Sequence, residues 1–214
     1  MKILVLNSGS SSQKSCLYEI GDTLPEHAPN PLWEARVEWD GSSAEVRVRN
    51  STGRTFKDRV KIDSRRQALD RLFHSLWDGD TRAVAKPSEI DVVGHRIVHG
   101  GPKFDRTTVV TREVKQAIAG VSAFAPLHNR AELEGIEMME QLLGSVPQLA
   151  VFDTGFHHNL PLAAAVYPGP YDWFERGIRR YGFHGINHQY CAERAAQLLG
   201  KKPNSLKLVL LPSR

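Results

Sequence analysis

The sequence predicts an α/β protein with a mixed sheet and helices packed on it, and two features of its 214 residues carry that prediction. Up to about residue 62 the apolar residues alternate within short segments, the period of strands. After Ser64 the apolar spacing lengthens to that of a helix, and from there helical segments alternate with short apolar runs. Antiparallel strands followed by alternating helices and strands give a mixed sheet.

In order along the chain, residues 2–6 read as a buried strand and 15–20 as its hairpin partner, across the polar stretch NSGSSSQK of residues 7–14. Trp33 to Trp39 and Val46 to Arg49 alternate on either side of the turn Asp40-Gly41-Ser42-Ser43, and a further strand is expected around 55–62. Ser64 is placed to cap a helix with Ala68, Leu69, Leu72, Phe73 and Leu76 on one face. Ile90 to Val93 reads as a short buried strand ending in the loop GHRIVHGG, residues 94–101, and Thr111 to Gly120 as a short helix. Asn129 with Glu132 three residues on has the pattern of a capping box, opening a helix with Leu133, Ile136, Met139, Leu142 and Leu143 on its apolar face. Gln148 to Phe152 is another buried strand, ending at Asp153. Asn187 is the expected cap of a last helix through Leu199, with Gly200 as its stop, and Leu206 to Leu211 begins one more strand.

A hydrophobic content of 41% is enough for a real core. The formal charge of +4 is spread over scattered Lys and Arg, with no run longer than pairs such as Arg65-Arg66, so the chain lacks the patch a nucleic-acid surface needs and is better suited to small anions. Cys16 and Cys191, far apart and in apolar contexts, read as reduced core thiols of a cytoplasmic protein. The four apolar residues before Asn7 are too few for a signal-peptide core, and no apolar run approaches the roughly 20 residues of a membrane span.

Four loops could carry chemistry. NSGSSSQK lacks the glycine spacing of a P-loop or a dinucleotide loop, and the residues after Lys14 alternate like a strand. It is either a hairpin loop whose N–H groups, Ser hydroxyls and Lys14 face an anion, or a solvated Ser-rich turn. In GHRIVHGG, Arg96 just beyond a buried strand is placed to bind a carboxylate or phosphate in bidentate fashion, or to bridge loop carbonyls. In VFDTGFHHNLP, Asp153 emerges at the end of a strand, where ligands of α/β sheets sit. It can bind metal, position a nucleophile, take a proton, or cap the next turn. In RRYGFHGINHQY, His184 stands before a helix. His184 and His188 are four apart, but Gly185 and the cap put His184 outside that helix, so they do not form the paired zinc ligands of an HExxH helix. Seven of the nine histidines lie between 95 and 188, which keeps a metal-dependent hydrolase as an alternative.

Taken together and in order, NSGSSSQK, GHRIVHGG, APLHN (125–129), VFDTGFHHNLP and RRYGFHGINH resemble the acetokinase family of carboxylate kinases, from Met1 to about Leu208. Gln13, Arg130, Gly155 and the pair Ile186-Asn187 depart from the pattern expected there. The resemblance implies an actin-like (ribonuclease H-like) ATPase lobe over residues 1–155, with 156–214 opening a second lobe. It implies transfer of the ATP γ-phosphoryl group to acetate, or propionate, with Mg²⁺, in a full-length family that is homodimeric, with neither nucleic acid nor membrane as a partner. By the same resemblance, Asn7 lies at the Mg²⁺ site, and Lys14 with Ser10 and Ser12 meets the nucleotide phosphates. Arg96 holds the substrate carboxylate, Asp153 is a catalytic acid group, and His184 stabilises the transition state with a hydrogen bond from His128. Val98, Leu127 and Phe183 wall the substrate's methyl group. Family members continue past Leu208 into a second glycine-containing phosphate loop, whereas LKLVLL here meets Pro212, Ser213 and Arg214. The expectation is therefore an incomplete kinase with little turnover of its own, with a non-catalytic remnant that binds anions or a partner as the alternative.

Overall fold

The computed structural model describes residues 1–211 except 24, 26, 62–63 and 122–125, with the side chains of 126 and 127 also set aside. Its centre is one eight-stranded sheet of order β5-β4-β3-β2-β1-β6-β8-β7. Strands β1 (Lys2–Ser8), β2 (Ser12–Glu19), β3 (Trp33–Asp40), β4 (Ser43–Asn50) and β5 (Thr55–Lys61) form an antiparallel meander. β6 (Val92–Ile97) then lies parallel to β1, and β8 (Gln148–Phe152) parallel to β6. A two-residue strand, β7 (Thr108–Val109), closes the edge antiparallel to β8.

Alternation in the meander sends Leu4, Leu6, Leu17, Val37 and Val46 to one face, where they meet α1 (Arg65–His74) through Leu69, Leu72 and Phe73. Ser64 caps α1 as expected, its Oγ accepting from the Gln67 N–H at 3.3 Å. α2 (Arg112–Gly120), capped by Thr111, and α3 (Pro126–Leu143) cover the parallel strands, with Ile118 and Ile136 packed on Ile97, Ala150 and Phe152. Two single-turn helices, α4 (Leu162–Ala165) and α5 (Asp172–Glu175), precede α6 (Gly185–Leu198). Among the described residues no helix is long and apolar enough to cross a membrane.

Several elements depart from the sequence expectation, each for a tertiary reason. β6 runs on to Ile97, so Arg96 sits within a strand instead of in the loop beyond it; parallel partners on both sides supply ladder bonds past Val93. α3 begins at Pro126, a favoured residue at a first helical position, so Asn129 and Glu132 lie inside the helix and do not cap it. Asn129 is fully buried and donates from Nδ2 to the Ile118 carbonyl at 3.0 Å, satisfying a last-turn carbonyl of α2. α6 is entered through His184, with Asn187 already in its first turn. Residues 206–211 make no strand, because an apolar run needs a ladder partner and none of the described strands pairs with it. Cys16 and Cys191 are free thiols, but both are only half-buried.

Candidate active site

The C-terminal ends of three adjacent parallel strands converge. β1 ends beyond Asn7, β6 beyond Arg96, and Asp153 follows β8 directly. Inward residues of these strands, Leu6, Ile97 and Phe152, are buried in the core, and Asn7 and Arg96 have the opposite parity. Lys14 of β2 is the register partner of Asn7. Lys14, Asn7 and Arg96 thus stand side by side across three strands on the face away from the core.

Arg96 is the hub. Its Nε donates to Asp153 Oδ2 at 3.1 Å, Nη2 donates to the same oxygen, and Nη1 donates to Asn7 Oδ1 at 3.0 Å. Asp153 is 2% exposed, so its carboxylate is held by a charge-assisted pair out of water. A guanidinium has five N–H groups. Three are engaged here, leaving one each on Nη1 and Nη2 for an incoming anion.

Behind this hub lies a second carboxyl. Glu132 of α3 is 1% exposed and accepts the Val98 backbone N–H on both oxygens, at 3.1 and 3.2 Å. Burial pushes its pKa from 4.5 up to about 8, opposed by the Val98 N–H and by Arg96, and reinforced by Asp153. His99, two residues beyond β6, is buried, accepts the Gly101 N–H on Nδ1 at 3.0 Å, and meets the rings of Tyr181 and Phe183 edge-on. Burial pulls its pKa down, which favours the neutral ring.

α6 delivers His184 to the same edge. The Gly185 N–H donates to the Asp153 carbonyl at 2.8 Å, which ties the start of the helix to the end of β8. A Cβ on Gly185 would be driven into that carbonyl, so only glycine allows the approach. His184 takes φ +61°, the one non-glycine residue in the left-handed region among those described, and is exposed. Behind it His188 Nδ1 lies 3.1 Å from His157 Nε2, and burial beside His188 lowers the His157 pKa.

The sequence-selected residues divide accordingly. Asn7 and Asp153 are each bonded to Arg96, with Lys14 alongside. Ser10 lies in the adjoining hairpin loop and Ser12 opens β2, the Gly9 N–H donating to the Ser12 carbonyl at 2.8 Å. Val98 is half-buried and Phe183 is exposed at the same edge, while His128 is exposed in the first turn of α3. The Leu127 side chain lies outside the described residues. Glu132 was visible in the sequence only as half of a capping pattern, and its real partner, Val98, is 34 residues away.

For Mg²⁺ the available donors are few. Asn7 Oδ1 already accepts from Arg96, and among the described residues no three of His, Cys, Asp or Glu gather as metal ligands. This set fits a Mg²⁺ that arrives with phosphates and keeps its waters, for which one protein oxygen is enough. It offers nothing to the histidine-held hydrolytic metal kept open from the sequence.

The chain is 57% identical over 211 residues to an acetate kinase of Cyanothece sp. and 56% identical over 212 to one of Nostoc sp., in each case across 98% of this chain and 52% of the relative. It therefore spans about half the length of the curated relatives it matches. The crystal structure of Porphyromonas gingivalis acetate kinase superposes with a TM-score of 0.82 at 35% identity, covering 94% of this chain and 50% of that one. A propionate kinase from Francisella tularensis does so at 0.80 and 32%, with the same coverage. These neighbours carry the actin-like ATPase fold expected from the motifs. The acetokinase family profile matches residues 2–211, and with the site geometry and these relatives it shows that the chain belongs to the acetokinase family.

Proposed function

We propose that this chain carries the carboxylate-binding and phosphate-loop half of a kinase that transfers the ATP γ-phosphoryl group reversibly to acetate, with propionate as the related substrate. The observation that carries the reading is the bonded set Asn7–Arg96–Asp153 at the ends of three parallel strands, beside a Ser-rich hairpin loop and His184. Residues 1–155 are then the first lobe and 156–214 the opening of the second.

A carboxylate is already an anion, so the reaction needs no base to make its nucleophile. Its difficulty is the approach of two anions, which positioning and charge neutralisation must overcome. Arg96 takes the substrate carboxylate on the N–H groups left on Nη1 and Nη2, and Asp153 fixes the plane of the guanidinium. Asp153 thus orients; no proton transfer is required of it. Val98, Leu127 and Phe183 wall the methyl group. Such a wall separates acetate from propionate by one methylene, worth roughly 1–3 kcal/mol. Lys14 and the loop of Ser10 and Ser12 hold the phosphates. A substrate carboxylate oxygen attacks the γ-phosphorus as the bond to the ADP oxygen breaks, and His184 with His128 donates hydrogen bonds to the charge that builds there. Asn7 Oδ1 is the protein oxygen for Mg²⁺, which when bound neutralises phosphate charge. The two free thiols suit a cytoplasmic setting, and the reading extends to a homodimer of full-length chains.

The test is calorimetric titration of the 214-residue chain with acetyl phosphate, beside a hydroxamate assay with ATP, Mg²⁺ and acetate. Binding of acetyl phosphate that Arg96→Ala abolishes supports the reading. No binding, or nucleotide-independent hydrolysis with stoichiometric zinc, overturns it.

A further inference from the structure

Arg65 breaks a local rule. It is the first residue of α1, Arg66 follows it, and the first turn of the helix carries no acid, so two cations face the positive end of the helix dipole. The Arg65 side chain is nevertheless 19% exposed, and its Nε and Nη2 are buried without a hydrogen bond among the described residues. A long cation so enclosed needs a reason outside its helix.

Three elements surround it. Its guanidinium carbon lies 3.9 Å from the centroid of the Trp39 ring on β3, and Nε lies 3.5 Å from Glu134 Oε2 on α3. Nη1 donates to the backbone carbonyl of Ser10 at 3.2 Å. The next two carbonyls of that loop are also taken: Ser11 accepts from the Trp39 backbone N–H at 3.0 Å, and Ser12 from Gly9 at 2.8 Å. In a planar trans peptide the carbonyl and the following N–H point opposite ways. Holding the Ser10 carbonyl towards Arg65 therefore turns the Ser11 N–H to the other side of the loop, and no loop carbonyl from 10 to 12 is left to repel an anion.

We infer that Arg65 is a positioning residue of the phosphate loop: gripped by Trp39 and Glu134, its guanidinium holds the Ser10 carbonyl back so that the Ser11 N–H is presented to phosphoryl oxygens. This rests on reading residues 7–14 as a phosphate loop. Lysine at 65 would keep the charge but lose the planar fork that stacks on Trp39 while bonding Ser10.

The experiment titrates the 214-residue chain and its Arg65→Ala, Arg65→Lys and Arg65→Gln variants with inorganic tripolyphosphate, by calorimetry and by the amide resonance of Ser11. Loss of one charge-assisted anchor should weaken binding about tenfold in the alanine variant. Arg65→Lys should not restore it, whereas millimolar guanidinium ion should, and the tripolyphosphate-induced shift of Ser11 should fade in step. Glu134→Gln, which loosens the grip and keeps the cation, should weaken binding in the same direction, and it stands in if the Arg65 variants do not fold. A folded Arg65 variant with unchanged affinity and an unchanged Ser11 shift overturns the inference alone. A wild-type chain that neither binds tripolyphosphate nor moves its Ser11 amide overturns the phosphate-loop reading as well.

Discussion

Glu132 and Val98 are joined by a single donor shared between two acceptors: the Val98 N–H lies 3.1 Å from one carboxylate oxygen of Glu132 and 3.2 Å from the other. One backbone N–H is little compensation for a buried charge, and burial accordingly raises the carboxyl from 4.5 to about 8. The folded protein then binds this proton more tightly than the unfolded chain. The contribution to stability is full below pH 4.5 and falls as pH rises towards 8. Thermal melts across this range should show a decline for the wild type that is reduced in Glu132→Gln, and parallel curves would contradict the assignment.

Arg96 has a structural role beside the one proposed for it, because Asp153 is buried against it. Arg96→Ala should destabilise the chain by about 3 kcal/mol, the usual consequence of stranding a buried charge. Adding Asp153→Ala should restore part of the loss, so that the double variant is more stable than the sum of the singles predicts. Urea unfolding of the four proteins measures the coupling, and strict additivity would show that the pair is not formed in solution.

His184 holds a backbone conformation that a side chain makes unfavourable by about 1 kcal/mol. His184→Gly should therefore leave stability unchanged or raise it by up to about that amount, while His184→Ala keeps the strain. In the role proposed for His184, both should slow phosphoryl transfer in a competent form of the enzyme more than they weaken substrate binding, since the charge the histidine would face peaks in the transition state. An effect confined to KM would reassign the histidine to ground-state binding.

Gly185 is the most intolerant of the site's glycines. A methyl group there collides with the Asp153 carbonyl and crowds Phe156. Gly185→Ala should cost at least about 2 kcal/mol and free the start of α6 from β8. Amide exchange of Gly185 against that of Ala196 reads the effect: faster exchange at the first position only is expected.

The parts of the molecule that follow from local pattern were legible in the sequence, and those set by distant partners were not. Alternation placed the meander to within three residues, with β2 opening at Ser12 and β4 at Ser43, and the Ser64 cap lies where expected because it acts on its own first turn. Arg96 was sought in a loop, since nothing local says that β1 and β8 will extend β6 on both sides. Asn129 and Glu132 have cap spacing, yet their bonds go to Ile118 and Val98, which the fold brings to them. Asn7, Arg96 and Asp153 were singled out from separate motifs and the fold brings them together, but the bonds of Arg96 to the other two were invisible, because 89 and 57 residues separate it from them.

That separation has a kinetic consequence. The hairpins β1–β5 join neighbours in the chain and can form early, on microsecond scales for each hairpin. The ladders of β6 with β1 and with β8 must close loops of roughly 90 and 50 residues, which come late in topologies dominated by distant pairings. A refolding chain should therefore display its Ser-rich loop before Asn7, Arg96 and Asp153 come together, and the Arg96–Asp153 bond should be among the last to appear.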